Sequence, residues 1–125
     1  NAKKSGKYTS FLSEEAALPM MYMEDAIRAT IELMEAPSEN IHIRSSYNLA
    51  GISFTPAELA QAIQQEMPEF EISYAPDFRQ AIADSWPNSI DDKSATADWG
   101  WKANYDLQRM VKVMLDNVDI SKLTD

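Results

Sequence analysis

An arginine seven residues ahead of a tryptophan, Arg79 and Trp86, is the pair in this sequence best suited to meeting a small anionic molecule. A guanidinium offers a planar fork of donors to a carboxylate or phosphate, and an indole covers the apolar part beside it. The plainer reading of the same residues is a surface ion pair for Arg79 and loop packing for Trp86, and residue types alone favour it. The remaining candidates are weaker. His42, between Ile41 and Ile43, has the chemistry of a general base but no acidic neighbour in sequence to orient it. Asp91 and Asp92 have the types for an acid–base couple, yet a helix cap and a first-turn charge account for them at that place. Glu14-Glu15 reads as a solvated loop, and the seven methionines fall mostly on helical stripes, as core or domain contacts.

Several chemistries are excluded by count. The three glycines, at positions 6, 51 and 100, are too far apart for a glycine-rich phosphate loop. No tyrosine has a lysine four residues on; the residues at that spacing are Leu12, Ala26, Gly51, Phe78 and Arg109. Without cysteine there is no thiol nucleophile, disulfide or zinc–thiolate site, and a lone histidine builds no multi-histidine metal site. No catalytic, cofactor-binding or metal-binding residue is therefore assigned within the chain. The lack of cysteine leans towards a reducing cytoplasm.

The elements that would position Arg79 and Trp86 have to fit into 125 residues, enough for one packed domain and too few for two. With 45% hydrophobic and 25% charged residues the chain has the composition of a soluble globular protein, and no run approaches the ~20 apolar residues of a membrane helix. A net charge of -9 repels nucleic acid and anionic membranes. Asn1-Ala2 fits a remnant of an expression vector, and Ala2 to Gly6 reads as the last turn of a helix, with lysines at the negative end of the dipole and Gly6 in the left-handed C′ position. The expectation is a chain that starts inside a larger protein.

Tyr8–Leu12 and Leu18–Tyr22 are short β-prone runs. A helix follows from about Glu24 to Glu35, with Met23, Ile27, Ile31 and Met34 at near-helical spacing and Pro37 as its stop. Ser46-Tyr47-Asn48-Leu49-Ala50 reads as a strand ending at Gly51. Phe54-Thr55-Pro56-Ala57-Glu58-Leu59 carries a complete helix start: Thr55 as N-cap, Pro56 at the first position, Glu58 closing a capping box, and Phe54 with Leu59 as a staple. That helix is expected to run to about Glu66. Phe70, Ile72 and Tyr74 alternate with polar residues as in a half-buried strand. Pro76 to Asn88 reads as irregular. Asp91 is expected to cap a helix over Lys93 to Trp99 that Gly100 ends, and Asp106 to cap a last helix with Leu107, Met110, Val111, Met114 and Leu115 on one stripe. The fold class is α/β, or α+β as an isolated piece, with short strands and about four helices.

The frame Arg79, Asp84-Ser85-Trp86-Pro87, Asp91-Asp92-Lys93-Ser94-Ala95, Trp99-Gly100-Trp101-Lys102 and Leu107 resembles the C-terminal part of the extended short-chain dehydrogenases/reductases, the epimerase/dehydratase group. Leu18-Pro19-Met20-Met21-Tyr22-Met23-Glu24-Asp25 stands where sugar epimerases carry Arg-Asp-Tyr-Ile-His-Val-Asp-Asp, and Ser46 to Gly51 resembles the family's Tyr-Asn-Val-Gly strand. Two departures set the chain apart from enzymes of nucleotide sugars. The arginine of the first pattern is missing, and Arg79-Gln80-Ala81-Ile82-Ala83-Asp84-Ser85-Trp86-Pro87 replaces the usual Arg-Pro-Gly-Asp. These strings are similar instead to the branch that oxidises the β-hydroxyl of L-threonine.

The resemblance implies NAD as cofactor of an intact parent and residues 1 to 125 as its C-terminal, substrate-side lobe. The glycine-rich NAD loop and the Tyr-x-x-x-Lys pair would lie in an N-terminal dinucleotide-binding domain, the partner this lobe packs against. Trp86, Ser85 and Arg79 are the substrate-binding residues it implies, with Trp86 over the bound amino acid and Arg79 bracing its loop. Location would be cytoplasmic, or mitochondrial in a eukaryote. The lobe alone is expected to be inactive and to self-associate through its exposed packing surface. Two alternatives stay open: the same lobe of a nucleotide-sugar epimerase or dehydratase, and a free-standing acidic interaction domain.

Overall fold

The computed structural model describes residues 1–122. Two small sheets share the framework. Strand β1 (Lys7–Ser10) runs parallel to β4 (Glu71–Tyr74), with Tyr8 opposite Ile72. Strand β2 (Leu18–Met20) runs antiparallel to β3 (Ile52–Phe54), with Pro19 opposite Ser53. The helices are α1 (Ala2–Ser5), α2 (Met23–Glu35), α3 (Pro56–Glu66), α4 (Phe78–Asp84), α5 (Lys93–Trp99) and α6 (Leu107–Asn117). The α/β class holds, with six helices among the described residues rather than about four. The additional two are the single turn α1, closed by Gly6 at φ 68°, and the short α4.

The sequence signals explain most boundaries. Thr55 accepts the Glu58 main-chain N–H at 3.2 Å while the Glu58 carboxylate accepts that of Thr55 at 2.8 Å, the reciprocal box that starts α3. Asp106 accepts the Arg109 N–H at 2.8 Å and starts α6, which packs against α3. Gly100, at φ 75°, ends α5. Asp91 does supply the carboxylate at the start of α5, accepting the Lys93 N–H at 3.0 Å, although the residue at the cap position itself is Asp92.

Two expectations are corrected. The stretch Pro76 to Asn88 is not irregular throughout: Asp77 accepts the Arg79 N–H at 2.9 Å and caps α4, a start signal overlooked in so short a helix. Ser46 to Ala50 is not a strand; the ladder begins beyond Gly51, at Ile52. A strand requires a neighbour, and among the described residues nothing pairs with the main chain of Tyr47, Asn48 and Leu49.

A compact cluster of Ala29, Ala95 and Trp101 joins α2, α5 and the loop after α5, flanked by Met21, Tyr47, Leu49, Trp99 and Ala103. The Trp101 indole N–H donates to the Ala50 carbonyl at 3.0 Å, which satisfies the polar edge of a fully buried ring. Among the described residues no helix is long and apolar enough to cross a membrane.

Candidate functional site

Helix α4 places Trp86 one turn beyond its end. The ring is 57% exposed and walls a niche of about 170 Å3 with Phe11, Leu12, Leu18, Arg79, Ile82 and Ala83. Phe78 and Ile82 extend the same exposed apolar side of α4. Trp86 and Arg79, paired in the sequence reading, thus line one niche. Ser85 stands beside them but turns its hydroxyl back into the chain, donating to the Ile82 carbonyl at 2.6 Å.

The Arg79 guanidinium is committed within the chain. Its Nε donates to the two Asp77 oxygens at 3.0 and 3.1 Å, and Nη2 donates to Asp77 Oδ2 at 2.6 Å. The hydrogen bonds from Arg79 hold the Asp77 carboxyl below the usual carboxylate range, and Asp77 raises the guanidinium in return. The cation also lies 3.5 Å above the centre of the Phe11 ring. Two further bonds fasten α4 to the loop after β1: the Asp77 N–H donates to the Phe11 carbonyl at 3.2 Å, and the Ser13 N–H to Gln80 Oε1 at 2.7 Å. Arg79 therefore acts on the niche by fixing where α4 sits.

His42 does have an acidic neighbour, from far along the chain. Its Nδ1 lies 2.9 Å from Asp98 Oδ1, and the Tyr47 hydroxyl donates to Asp98 Oδ2 at 2.6 Å. The Tyr47 oxygen in turn accepts the main-chain N–H of His42 and Ile43, at 3.1 and 3.2 Å. The Tyr47 and His42 bonds hold Asp98 below the usual carboxylate range. This ring of contacts anchors the loop before residue 46 and lies apart from the residues that line the Trp86 niche. Asp91 and Asp92 do not form a couple either: Asp91 faces Lys93, and Asp92 accepts the Ala50 N–H at 3.4 Å. Glu14 and Glu15 are exposed.

The described residues hold no cradle for a dinucleotide. The three glycines lie at the ends of α1 and α5 and beside β3, and no group of three or more His, Cys, Asp or Glu residues is placed to bind a metal. What the niche offers is an apolar wall, with its one cation neutralised at the rim.

No family profile matches the sequence. Individual proteins do. The mitochondrial L-threonine 3-dehydrogenase of Sus scrofa is 50% identical over 117 residues, 93% of this chain and 31% of that protein. An uncharacterised epimerase/dehydratase of Staphylococcus saprophyticus is 47% identical over 119 residues, 94% of the chain and 37% of that protein. The apo structure of the GalE-like L-threonine dehydrogenase from Cupriavidus necator superposes with a TM-score of 0.89 at 61% identity, covering 94% of this chain and 43% of that one. The chain belongs to the epimerase/dehydratase family of extended short-chain dehydrogenases/reductases, of which it represents a C-terminal part. Within that family it aligns with the L-threonine 3-dehydrogenases, spanning about a third of the curated relatives' length.

Proposed function

We propose that this chain is the substrate-side lobe of an NAD-dependent L-threonine 3-dehydrogenase and is inert alone. The observation that carries the reading is the Trp86 niche, set in a chain that matches threonine dehydrogenases over more than nine-tenths of its length. The reaction is oxidation of the substrate's β-hydroxyl to a ketone, giving 2-amino-3-ketobutyrate, with NAD taking up the hydride and a proton leaving. NAD and the reacting acid–base groups belong to the N-terminal domain of the parent, since this chain offers no fit for them.

The lobe contributes a wall. Trp86, Ile82, Phe11 and Leu18 present carbon to the substrate's methyl end and displace water from the reacting carbon, where a shift of about 1 Å costs on the order of a hundredfold in rate. Recognition of the amino acid's carboxylate and ammonium falls to the other domain, because the Arg79 fork is saturated by Asp77. The same saturation weighs against a nucleotide-sugar diphosphate at this place.

In the parent enzyme, Trp86→Ala is expected to raise the KM for threonine about tenfold or more with the KM for NAD unchanged, and Trp86→Phe to restore most of the loss. Unaltered threonine kinetics in Trp86→Ala would overturn the role of the niche. Threonine-dependent NADH formation by the isolated chain would overturn the lobe reading itself.

A further inference from the structure

Residues 46 to 50 have the burial rhythm of a strand without a sheet. Tyr47 and Leu49 are partly buried against the Ala29–Trp101 cluster, while Ser46 and Asn48 point to solvent, the alternation that an extended chain produces. Ala50 is tied at both polar atoms, its N–H to Asp92 and its carbonyl to the Trp101 indole. The three residues before it have unpaired main chains among the described residues. Partly buried peptide groups left this way are costly, and nearly all such groups in folded proteins find partners.

Helix α2 tells the same story from its side. Asp25 and Ala29 bury one face, yet Met23, Ile27, Ile31 and Met34, between 49% and 80% exposed, form an apolar stripe on the other. A surface helix carries polar residues there; a helix apolar on both faces is an inner layer. The segment then passes under its neighbour at Gly51, where a Cβ would lie 2.6 Å from the Met20 carbonyl oxygen, before it enters β3 in the lobe's own sheet. Residues 46 to 54 therefore run from an open edge into a closed ladder.

We propose that residues 46 to 50 add as a β-strand to the sheet of the parent's N-terminal domain, and that the outer stripe of α2 is buried by that same domain. The proposal rests on the reading of the chain as one lobe of a longer enzyme, and it names the surface through which the two lobes join. The occupant is argued from length: the matched relatives are two to three times longer than this chain, which covers 31% and 37% of two curated relatives and 43% of a solved one. A second copy of the lobe fits less well, because acidic chains of net charge -9 repel one another.

Amide hydrogen exchange on the parent polypeptide tests it. The amides of Tyr47, Asn48 and Leu49 are expected to exchange about a hundredfold or more slower than in the isolated chain, and Asn48→Pro in the parent to abolish the protection of its neighbours. Ile27→Lys is expected to lower the parent's thermal midpoint while leaving that of the isolated chain unchanged. Amides as fast in the parent as in the isolated chain would overturn the proposal, as would protection in the isolated chain that grows with its concentration, which would assign the edge to a second copy. Threonine-dependent NADH formation is read on the same parent sample. Protection without turnover keeps the docking and removes the activity; turnover without protection does the reverse.

Discussion

The Asp25 carboxylate accepts the main-chain N–H of Tyr105 at 3.0 Å, a bond between residues eighty apart in the chain. The carboxylate is 1% exposed and also accepts the Asn104 N–H at 3.0 and 3.1 Å, while Arg28 Nη2 donates to it at 2.9 Å. Arg28 continues the connection by donating to the Lys102 carbonyl at 2.6 Å and stacking 4.8 Å from the centre of the Trp101 ring. One acidic residue thus fastens α2 to the loop that carries the buried tryptophan. Asp25→Ala leaves two N–H groups without an acceptor and Arg28 without its buried counter-ion. It is expected to cost about 3 to 5 kcal/mol in denaturant unfolding of the parent, with Asp25→Asn costing less because one acceptor remains.

The same carboxylate makes the fold acid-sensitive. Burial alone would push Asp25 up, but Arg28 and the N–H groups of Tyr105 and Asn104 outweigh it and hold the carboxyl below its usual range. Asp77, Asp91 and Asp98 are held low by their own hydrogen-bond donors. A folded value below the unfolded one means that the stabilisation is fully present above the ordinary aspartate value of about 3.9 and is lost as pH falls through the depressed folded values. The thermal midpoint is expected to hold from pH 7 to about 5 and to drop steeply below about 4, with Asp25→Asn flattening the drop. An unchanged acid limb in that variant would remove Asp25 from the account.

What could be read from sequence was local. The Thr55–Glu58 box, the Asp106 cap, the Gly100 stop and the alternation at Ile72 and Tyr74 all act within a few residues, and each fixed its element. The mistakes came from partners that sequence spacing cannot supply. Ser46 to Ala50 has strand-like residues but no neighbour to pair with, and His42 was read as unoriented because Asp98 lies 56 positions away. Helix α4 escaped notice although Asp77 stands at its start, since seven residues show too little periodicity to be seen. Nor did the Arg79 side chain reveal its partner: an aspartate two residues earlier is ordinary in a loop, and only the fold shows that it takes both donors of the fork. The membership of the family, by contrast, was legible in the strings around Trp86 and Leu18, which the matched threonine dehydrogenases bear out.

Gly51 is held by approach rather than by dihedral angle. An added Cβ would meet the Met20 carbonyl oxygen at 2.6 Å and the Met21 Cα at 3.0 Å, both main-chain atoms that cannot swing aside. Gly51→Ala is expected to destabilise the fold by about 2 kcal/mol through separation of β2 from β3. Gly100→Ala strains only a left-handed helix end with open space around it, and should cost about 1 kcal/mol. Parallel denaturant midpoints rank the two, and equal losses would contradict the contact argument.

Arg79 should influence catalysis without touching substrate. Its guanidinium bridges Phe11, at the end of β1, to Asp77, at the start of α4, so it sets the distance between the two walls of the niche that Trp86 closes. Lysine keeps the charge but has neither the planar face for the ring nor the fork for the carboxylate. In the parent enzyme Arg79→Lys is expected to raise the threonine KM several-fold, by about the amount a misplaced wall costs, with NAD binding and the unfolding midpoint close to those of the unmodified protein. Asp77→Asn should reproduce that pattern in weaker form, and the double substitution should add little to Arg79→Lys, because both act through one contact. Additive losses would instead mean that Arg79 meets the substrate directly, and a loss confined to NAD would place the arginine in the cofactor's path.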